Sequence, residues 1–460
     1  MIKPIFVFLL LFSGLLFAQQ SSERIIVVGD SLVGRVVNGE TIREVIGNVV
    51  LKQGNVTVTC NKTIQNITRN EAELIGNVVV LQDSLTLKTS SGFYFGNSKK
   101  TRSTTGLVLD DGKVTLSADS GEYFFDEDKA IFETNVKLVD SLTTMTSDNL
   151  VYYQKEDRAF ATGNVKVTDE SSEIFSDTLD HNRKTGYSIA DGNVRIINPE
   201  NNTTVYSGHL ENDSQKKYSF INEHPVLLQI DTTFNSENDS SKIERIDTLI
   251  IDAKVMEAFR DSTKLFKAID SVKILRAEFS SVNDITLLFR ETDLIITYKI
   301  KKDSSAQPVL WYDNSQLTGD SVTIYLEDNK IHQLDVDGNS LMLSQNADFK
   351  DRFDQTSSDS IRMFFKGNNI DRSEFFGNVY SYYFMFDNEK PNGLTKSTSN
   401  SATIFFKDNE VDEVKLFGSP NSEYYPEVKV KGLEKTFTLP RFVFYQNRPV
   451  KSVLLKNIEK

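Results

Sequence analysis

A tripeptide of the form Gly-Asn-Val recurs at a fixed spacing in the N-terminal part of the sequence. Copies begin at Gly47, Gly76, Gly163 and Gly192, with a Thr-Asn-Val variant at Thr134, so their separations are 29, 58, 29 and 29 residues. A fixed period indicates a structural unit that is repeated and stacked against its neighbours. An imperfect copy near Gly106 falls in the double gap, and a polar residue precedes each of the last three copies by 15 positions: Asp119, Asp148 and Asp177.

Each period contains two short runs in which apolar and charged residues alternate, which is the pattern of half-buried strands. Polar stretches at 126–129, 154–157 and 182–185 lie between the runs, and helical spacing of apolar residues is almost absent. The unit is therefore predicted to consist of two antiparallel strands and two turns. Because Gly and Asn tolerate positive φ, we expect the Gly-Asn dipeptides to form tight strand-connecting turns.

A variant of the unit recurs near the C-terminus. Runs that begin at Asp320, Asp359 and Asn400 each precede a glycine by 18 residues: Gly338, Gly377 and Gly418. Turns are predicted between them at 328–329, 368–369 and 408–409. The polar stretches 231–244 and 299–307 interrupt the pattern. We therefore predict an N-terminal module at 19–230, a linker with degenerate β units at 231–307, and a C-terminal module at 308–460. The sequence leaves open whether they are tandem modules or one continuous array.

The N-terminus has the pattern of a secretory signal. Lys3 precedes an apolar run from Pro4 to Phe17, and Ala18 supplies the small residue at the expected cleavage site. No later segment is apolar and long enough to span a bilayer as a helix. Cys60 is the only cysteine, so no intramolecular disulfide can form. The net charge of -13 argues against binding to nucleic acid, which requires a basic surface.

No catalytic or metal-binding pattern is visible. The four histidines have no metal-ligand spacing, and nucleophile elbows, phosphate loops and dinucleotide fingerprints are absent. We therefore predict neither enzymatic activity nor a cofactor, and a structural role for Asp148 and Asp177. Apolar strand faces remain as the candidate functional surface, with Tyr325, Phe364 and Phe405 on the opposite side. They could form a closed core with an outer aromatic row, or line an open groove for a lipid.

The segment from Asp148 to Val165, Asp-Asn-Leu-Val-Tyr-Tyr followed by Ala-Phe-Ala-Thr-Gly-Asn-Val, resembles the OstA-like family, which includes LptA. The resemblance is clearest over 47–197 and weaker over 320–425. It implies an all-β, antiparallel two-sheet β-jellyroll that opens as a V. It also implies a non-enzymatic periplasmic protein that carries lipopolysaccharide acyl chains between the inner and outer membranes. Implied partners are lipopolysaccharide or a related glycolipid, further copies paired edge to edge, and membrane transport components.

By analogy with that family, alternating apolar residues on the strands would line the lipid groove. Two alternatives stay open: a structural or adhesive exported β-repeat protein without a ligand, and a β-helical polysaccharide lyase or hydrolase. The hairpin turns and the missing catalytic cluster disfavour the latter. The predicted groove residues are Val136, Leu138, Val165, Val167, Val194, Ile196, Ile324, Met363 and Ile404.

Overall fold

The computed structural model describes residues 24–234, 243–300, 308–327, 330–367, 369–407, 410–456 and 458. Within these ranges the backbone forms 32 strands and three short helices. The strands pair in the antiparallel direction, for example Thr144–Tyr153 with Arg158–Thr168 and Lys330–Gln345 with Phe353–Lys366. The predicted all-β, antiparallel fold class is thus confirmed. The predicted signal segment 1–18 and the predicted turns at 328–329 and 408–409 lie outside the described residues, as does position 368.

The described part of the chain divides into two compact units, with the boundary after Val136. Cys60 lies in the first unit and is buried. The strands that begin in the first unit are β1 (Ile26–Val28), β2 (Ser31–Val37), β3 (Glu40–Gln53), β4 (Val56–Asn66), β5 (Glu71–Gln82), β6 (Leu85–Phe95), β7 (Lys100–Ser103), β8 (Leu107–Asp110), β9 (Thr115–Ala118), β10 (Ser120–Phe124) and β11 (Lys129–Val139).

The second unit contains the remaining strands and the helices. Its strands are β12 (Thr144–Tyr153), β13 (Arg158–Thr168), β14 (Glu173–Asn182), β15 (Tyr187–Asn198), β16 (Thr203–Asp213), β17 (Tyr218–Asn222), β18 (Val226–Phe234), β19 (Ile243–Asp252), β20 (Val255–Phe259), β21 (Leu265–Arg276), β22 (Phe279–Phe289), β23 (Leu294–Tyr298), β24 (Val309–Tyr312), β25 (Ser315–Thr318), β26 (Ser321–Glu327), β27 (Lys330–Gln345), β28 (Phe353–Lys366), β29 (Asn369–Asp387), β30 (Lys390–Lys407), β31 (Glu410–Phe417) and β32 (Asn421–Tyr425). They are followed by α1 (Glu427–Val430), a 3-10 turn (Glu434–Thr436) and α2 (Lys451–Leu455).

The predicted polar turns connect antiparallel neighbours. The turn at 126–129 joins β10 to β11, the turn at 154–157 joins β12 to β13, and the turn at 182–185 joins β14 to β15. The unit of two strands is therefore confirmed. Strands β18 to β23 cover most of the range 231–307, which was predicted to be a linker with degenerate β units. Within that range, residues 235–242 and 301–307 lie outside the described residues. The predicted module boundaries stay predictions.

The expectation that Gly-Asn dipeptides connect strands is wrong. Gly163 and Asn164 lie inside β13, where pairing with β14 shifts by one residue between Thr162 and Val165. Their φ angles are +77° and +47°, so the expected positive φ is confirmed. Two such residues within a strand form a β-bulge, which bends the strand and changes the direction of its side chains. Turns and bulges select the same residue types, because both require positive φ.

A side chain on the preceding strand holds each bulge. The Nδ2 group of Asn164 donates a hydrogen bond to the Asp148 carboxylate at 2.8 Å, and a Cβ atom on Gly163 would lie 2.5 Å from that carboxylate. This contact explains the spacing of 15 residues in the N-terminal repeats and 18 in the C-terminal repeats. Equivalent Asn-to-Asp bonds, 2.6 to 3.1 Å long, join Asn135 to Asp119, Asn193 to Asp177, Asn339 to Asp320, and Asn378 to Asp359.

The sheet of the first unit folds along its bulges into two layers around one interior. On β4 the buried positions alternate through Val58 and Cys60, then change parity to Thr63 and Gln65 beyond the bulge of its neighbour β5. Both halves of the strand therefore bury side chains. The Tyr94 hydroxyl, from the second half of β6, donates to the Gln53 side chain, from the second half of β3, at 2.7 Å. Because both atoms are buried, this bond closes the interior at the hairpin ends.

The long segment that follows β32 packs against earlier strands of the second unit. The Gln355 side chain on β28 donates to the Phe437 carbonyl and accepts from the Leu439 amide, both at 2.9 Å. Gln316 on β25 makes the same pair of bonds further along the segment, at 2.8 Å each. These two amides satisfy backbone groups of the segment as a neighbouring strand would. The C-terminal segment, residues 426–456 and 458, is thereby fixed across several strands.

An ion-pair cluster and apolar contacts anchor the two ends of the C-terminal segment. Arg352, whose side chain is 4 % exposed, lies 2.6 Å from a Glu427 oxygen and 3.2 Å from a Glu434 oxygen. A buried guanidinium without such partners would leave an uncompensated charge and destabilise the fold. At the other end, Leu454 of α2 packs against Val226 and Ile250. The segment therefore covers apolar side chains from β30 back to β18.

Replacing a bulge glycine should destabilise the fold. In the Gly76→Ala variant the new methyl group would lie 2.7 Å from the Asn61 amide, at a φ of +77°. We expect a loss of about 1 to 3 kcal/mol in unfolding free energy, measured as a lower urea midpoint. Gly34→Ala is the matched control, since nothing lies within 4 Å of its new methyl group. It should change stability by less than about 0.5 kcal/mol, and equal effects of both variants would contradict the bulge argument.

Removing the Arg352 guanidinium should release the C-terminal segment. We expect Arg352→Met to cost about 2 kcal/mol, because Glu427 and Glu434 are left partly buried without their partner. Faster limited proteolysis after residue 426, relative to the wild type, would report this change. Arg362→Met is the control, since its ion pair with Asp335 is more exposed. It should leave the proteolysis rate unchanged.

The same ion pair should make the C-terminal segment sensitive to acid. The hydrogen bond from Arg352 lowers the pKa of Glu427 below its ordinary value of 4.5. A carboxylate with a lowered folded-state pKa stabilises the fold above its unfolded-state pKa and loses that contribution as pH falls through the folded-state value. We therefore expect proteolysis of the segment to be constant near neutral pH and to accelerate below pH 4.5 in the wild type but not in Arg352→Met.

Candidate functional site

The predicted groove residues occupy equivalent places in successive repeats. Val136, Val165 and Val194 each come directly after a bulge, and all three are buried. The next inward positions, Val167 and Ile196, are half-buried. The structure thus places these residues on the inner face, which the sequence alone could not decide. Of the complete predicted set, the fully buried members are Val136, Leu138, Val165, Val194, Ile324 and Met363, and the half-buried ones are Val167, Ile196 and Ile404.

A depression lined by charged and aromatic side chains lies on the outer face of the same strands, opposite the apolar inner face. Lys166, Phe175, Arg195 and Tyr206 form one cross-strand row over β13 to β16. The Arg195 guanidinium carbon lies 4.3 Å from the centre of the Phe175 ring, and Lys166 pairs with Glu173 at 2.7 Å. Val165 and Val194 also border this depression of about 1010 Å³, but their buried side chains belong to the inner face. The depression is therefore charged and aromatic rather than an apolar groove.

A mainly apolar cavity of about 380 Å³ lies in the second unit among the last strands of the chain. Of the predicted groove residues, Ile404 lines it. Strands β27 to β31 contribute to its wall, and the half-exposed Val414 lies where β31 forms the outermost strand. The apolar lining residues are Met342, Met385, Ile404, Phe406, Val411, Val414 and Leu416, with the rings of Tyr382 and Tyr383.

The cavity also contains one carboxyl group, from Asp354 on β28. One oxygen of this carboxyl accepts a hydrogen bond from the Phe384 amide at 2.8 Å. Burial raises the pKa of Asp354 from 3.8 to about 7, although that hydrogen bond opposes the shift. The remaining polar lining is made of hydroxyl groups. Asp354 was missed in the sequence, because the direction of its side chain depends on the register that β28 keeps with the bulged strands β27 and β29, and no residue type in β28 marks that register.

The second face of the C-terminal strands carries the expected outer aromatic row. Tyr325 is 40 % exposed, and Phe364 and Phe405 are half-buried. The Arg372 guanidinium carbon lies 3.7 Å from the Phe364 ring centre, and the Lys415 amine lies 4.6 Å from that of Phe405. Such cation–π contacts cover aromatic surface that would otherwise face water. These rings are therefore separate from the cavity.

An edge strand of the first unit exposes apolar side chains. β2 pairs with β3 in a register from Ser31 to Val37. Every residue of β2 is exposed, including Leu32, Val33 and Val36. An exposed strand with apolar side chains is a ready site for pairing with another chain.

The described residues contain neither a metal-binding cluster nor a helix that could span a membrane. No group of three or more His, Cys, Asp and Glu side chains there could hold a metal ion. In the same residues, no helix combines the length and the hydropathy needed to cross a bilayer.

Comparisons with known proteins agree with the repeat found in the sequence. Residues 24–177 match the family described as OstA-like protein. Among solved structures, the chain is similar to the periplasmic protein LptH of Pseudomonas aeruginosa, an LptA homologue of the lipopolysaccharide transport device. Sequence identity is 15 %, the TM-score is 0.16, and the match covers 31 % of this chain and 83 % of that chain. No curated protein matches the chain. The resemblance to the OstA-like family is confirmed, and residues 24–177 form an OstA-like region.

Proposed function

We propose that this protein is a non-enzymatic periplasmic lipid carrier that holds acyl chains of lipopolysaccharide, or of a related glycolipid, in its apolar interior. The observation that carries the proposal is the apolar cavity around Ile404. It lies between strands whose other inward side chains are closely packed and buried. The match of residues 24–177 to the OstA-like family supports this ligand class, because the resemblance to that family implies a carrier of lipopolysaccharide acyl chains. The protein would thereby contribute to outer-membrane assembly.

Burial of methylene groups supplies enough free energy for such a site. Each buried CH₂ contributes about 0.8 kcal/mol, so a chain of ten carbons could bind with little polar recognition. A cavity of 380 Å³ lies within the usual range for small-molecule sites. Lipid head groups would remain in water outside it. The acidic net charge does not oppose this mode, because the contacts are apolar.

The interior of the first unit favours a structural role for that part of the chain. Tyr94, Tyr123 and Phe132 are fully buried there. The Tyr123 and Phe125 rings pack edge to face, with their centres 5.0 Å apart. A core filled by such rings leaves less room for acyl chains. We therefore assign lipid capture primarily to the second unit, and retain the ligand-free structural protein as the second candidate function.

The edge strand β2 supports a role in assembly. We infer that it pairs edge to edge with a further copy of the protein or with a membrane transport component. Backbone hydrogen bonds would supply affinity, and Leu32, Val33 and Val36 would be removed from water. An array of paired copies would extend the path available to a lipid.

Photo-crosslinking can test lipid capture. A benzophenone amino acid in place of Ile404 should crosslink to co-purifying lipid, identified by mass spectrometry after extraction. The same group in place of Phe405 is the control, because that neighbouring side chain lies under Lys415 on the outer face. We expect at least tenfold more lipid adduct at 404 than at 405. Equal labelling at both positions, or no bound lipid at all, would argue for the ligand-free structural protein.

Charge on the edge strand should prevent assembly. In Leu32→Asp/Val36→Asp both changes are at exposed positions, so the fold should persist while edge pairing becomes unfavourable. Sedimentation should show a shift of oligomers to monomers relative to the wild type. The control is Arg35→Ser, a change at an exposed polar position of the same strand. A wild type that is monomeric at all concentrations would exclude self-pairing and leave only a different partner.

A further inference from the structure

We propose that the cavity around Asp354 and Ile404 binds a neutral alkyl chain in a proton-dependent manner, with the bound state favoured when the Asp354 carboxyl is protonated. This inference rests on the proposed lipid-carrier function and deepens it, since it adds a condition under which the chain is held or released. It concerns the last strands of the second unit, where β31 forms an edge beside the cavity.

The geometry places the carboxyl where an alkyl chain would lie. Asp354 shares the cavity wall with Met342 on β27, Met385 on β29 and Ile404 on β30. One oxygen is held by the Phe384 amide, so the carboxyl is fixed rather than free to turn away into solvent. A chain that fills 380 Å³ would displace the water that hydrates this group. An ionised carboxylate loses far more from such dehydration than a neutral carboxylic acid does.

No charged side chain other than Asp354 is present among the described residues that line the cavity. Among the described residues that line it, β27, β30 and β31 supply only apolar and hydroxyl side chains. The other titratable groups of the lining are the phenols of Tyr382 and Tyr383 on β29. Arg352 precedes Asp354 on the same chain segment, but its guanidinium is paired with Glu427 and Glu434. Within the described cavity wall, the ionised Asp354 carboxylate therefore has no cation that could stay paired with it when a ligand enters.

The direction of the pH dependence follows from this arrangement. The pKa of Asp354 is about 7 in the free protein, and a bound chain should raise it further. Affinity should then be highest below pH 7, where the group is already protonated, and should decrease above it. With a bound-state pKa well above 8, the affinity at pH 6 exceeds that at pH 8 by about tenfold.

Calorimetry with n-decanol, a chain without a titratable group, tests the inference on the full-length protein. We expect about tenfold weaker binding at pH 8 than at pH 6 for the wild type. Asp354→Asn should bind with equal affinity at both values, because its side chain cannot ionise. Asp335→Asn is the control for removing a carboxylate from a neighbouring strand, and it should retain the wild-type dependence.

A second measurement uses only the wild-type protein, so its result does not depend on whether a variant folds correctly. Titrations at pH 7.5 in two buffers of different ionisation enthalpy should show uptake of about three-quarters of a proton per decanol bound. Decanol binding that is independent of pH, without proton uptake, would overturn this inference and leave the lipid carrier intact. Tighter binding of decyltrimethylammonium at pH 8 than at pH 6 would also overturn it, because that would make the carboxylate a cation site. Failure of decanol to bind at any pH would count against both proposals.

Discussion

Two consecutive residues with positive φ inside a strand are the constraint on which the rest of this structure depends. Such a pair is costly for most L-amino acids, and here Gly163 and Asn164 adopt it with the Asp148 carboxylate bound beside them. The bend that results divides a strand between two layers, so one strand contributes to both walls of an interior. Without the bulges, alternation along a straight strand would bury only one face of one sheet. The same contact, repeated at Asp177 and Asp359, determines where each copy bends.

The sequence revealed this constraint in part, since few residue types accept positive φ. Gly-Asn dipeptides and their preceding Asp residues gave the period, the strand count per unit and the antiparallel fold class. The location of Gly163 inside β13 could not be derived, because a hairpin turn and a bulge select the same residues. The inward direction of Val165 and Val194 depends on register, which a change of one residue would reverse.

Asp354 illustrates the limit for the candidate site. In the sequence it is one acidic residue in a polar stretch, and nothing distinguishes it from the solvated aspartates of the turns. Its properties arise from the five strands that enclose the cavity. Most of the residues in the cavity wall lie more than ten positions from Asp354 along the chain. The Tyr325, Phe364 and Phe405 row, in contrast, was visible from alternation alone, and cations at Arg372 and Lys415 cover two of its rings.

The C-terminal segment changes how cooperatively the second unit can open. In a ladder of antiparallel strands each strand contacts its immediate neighbours, so local opening can begin at an edge and progress one strand at a time. A segment that bonds to Gln355 on β28 and Gln316 on β25, and then packs on Val226 of β18, joins strands that do not otherwise meet. Fraying of the last strands would therefore strain contacts more than a hundred residues away in sequence. Hydrogen exchange in these strands would follow one shared opening event rather than a gradient from the edge.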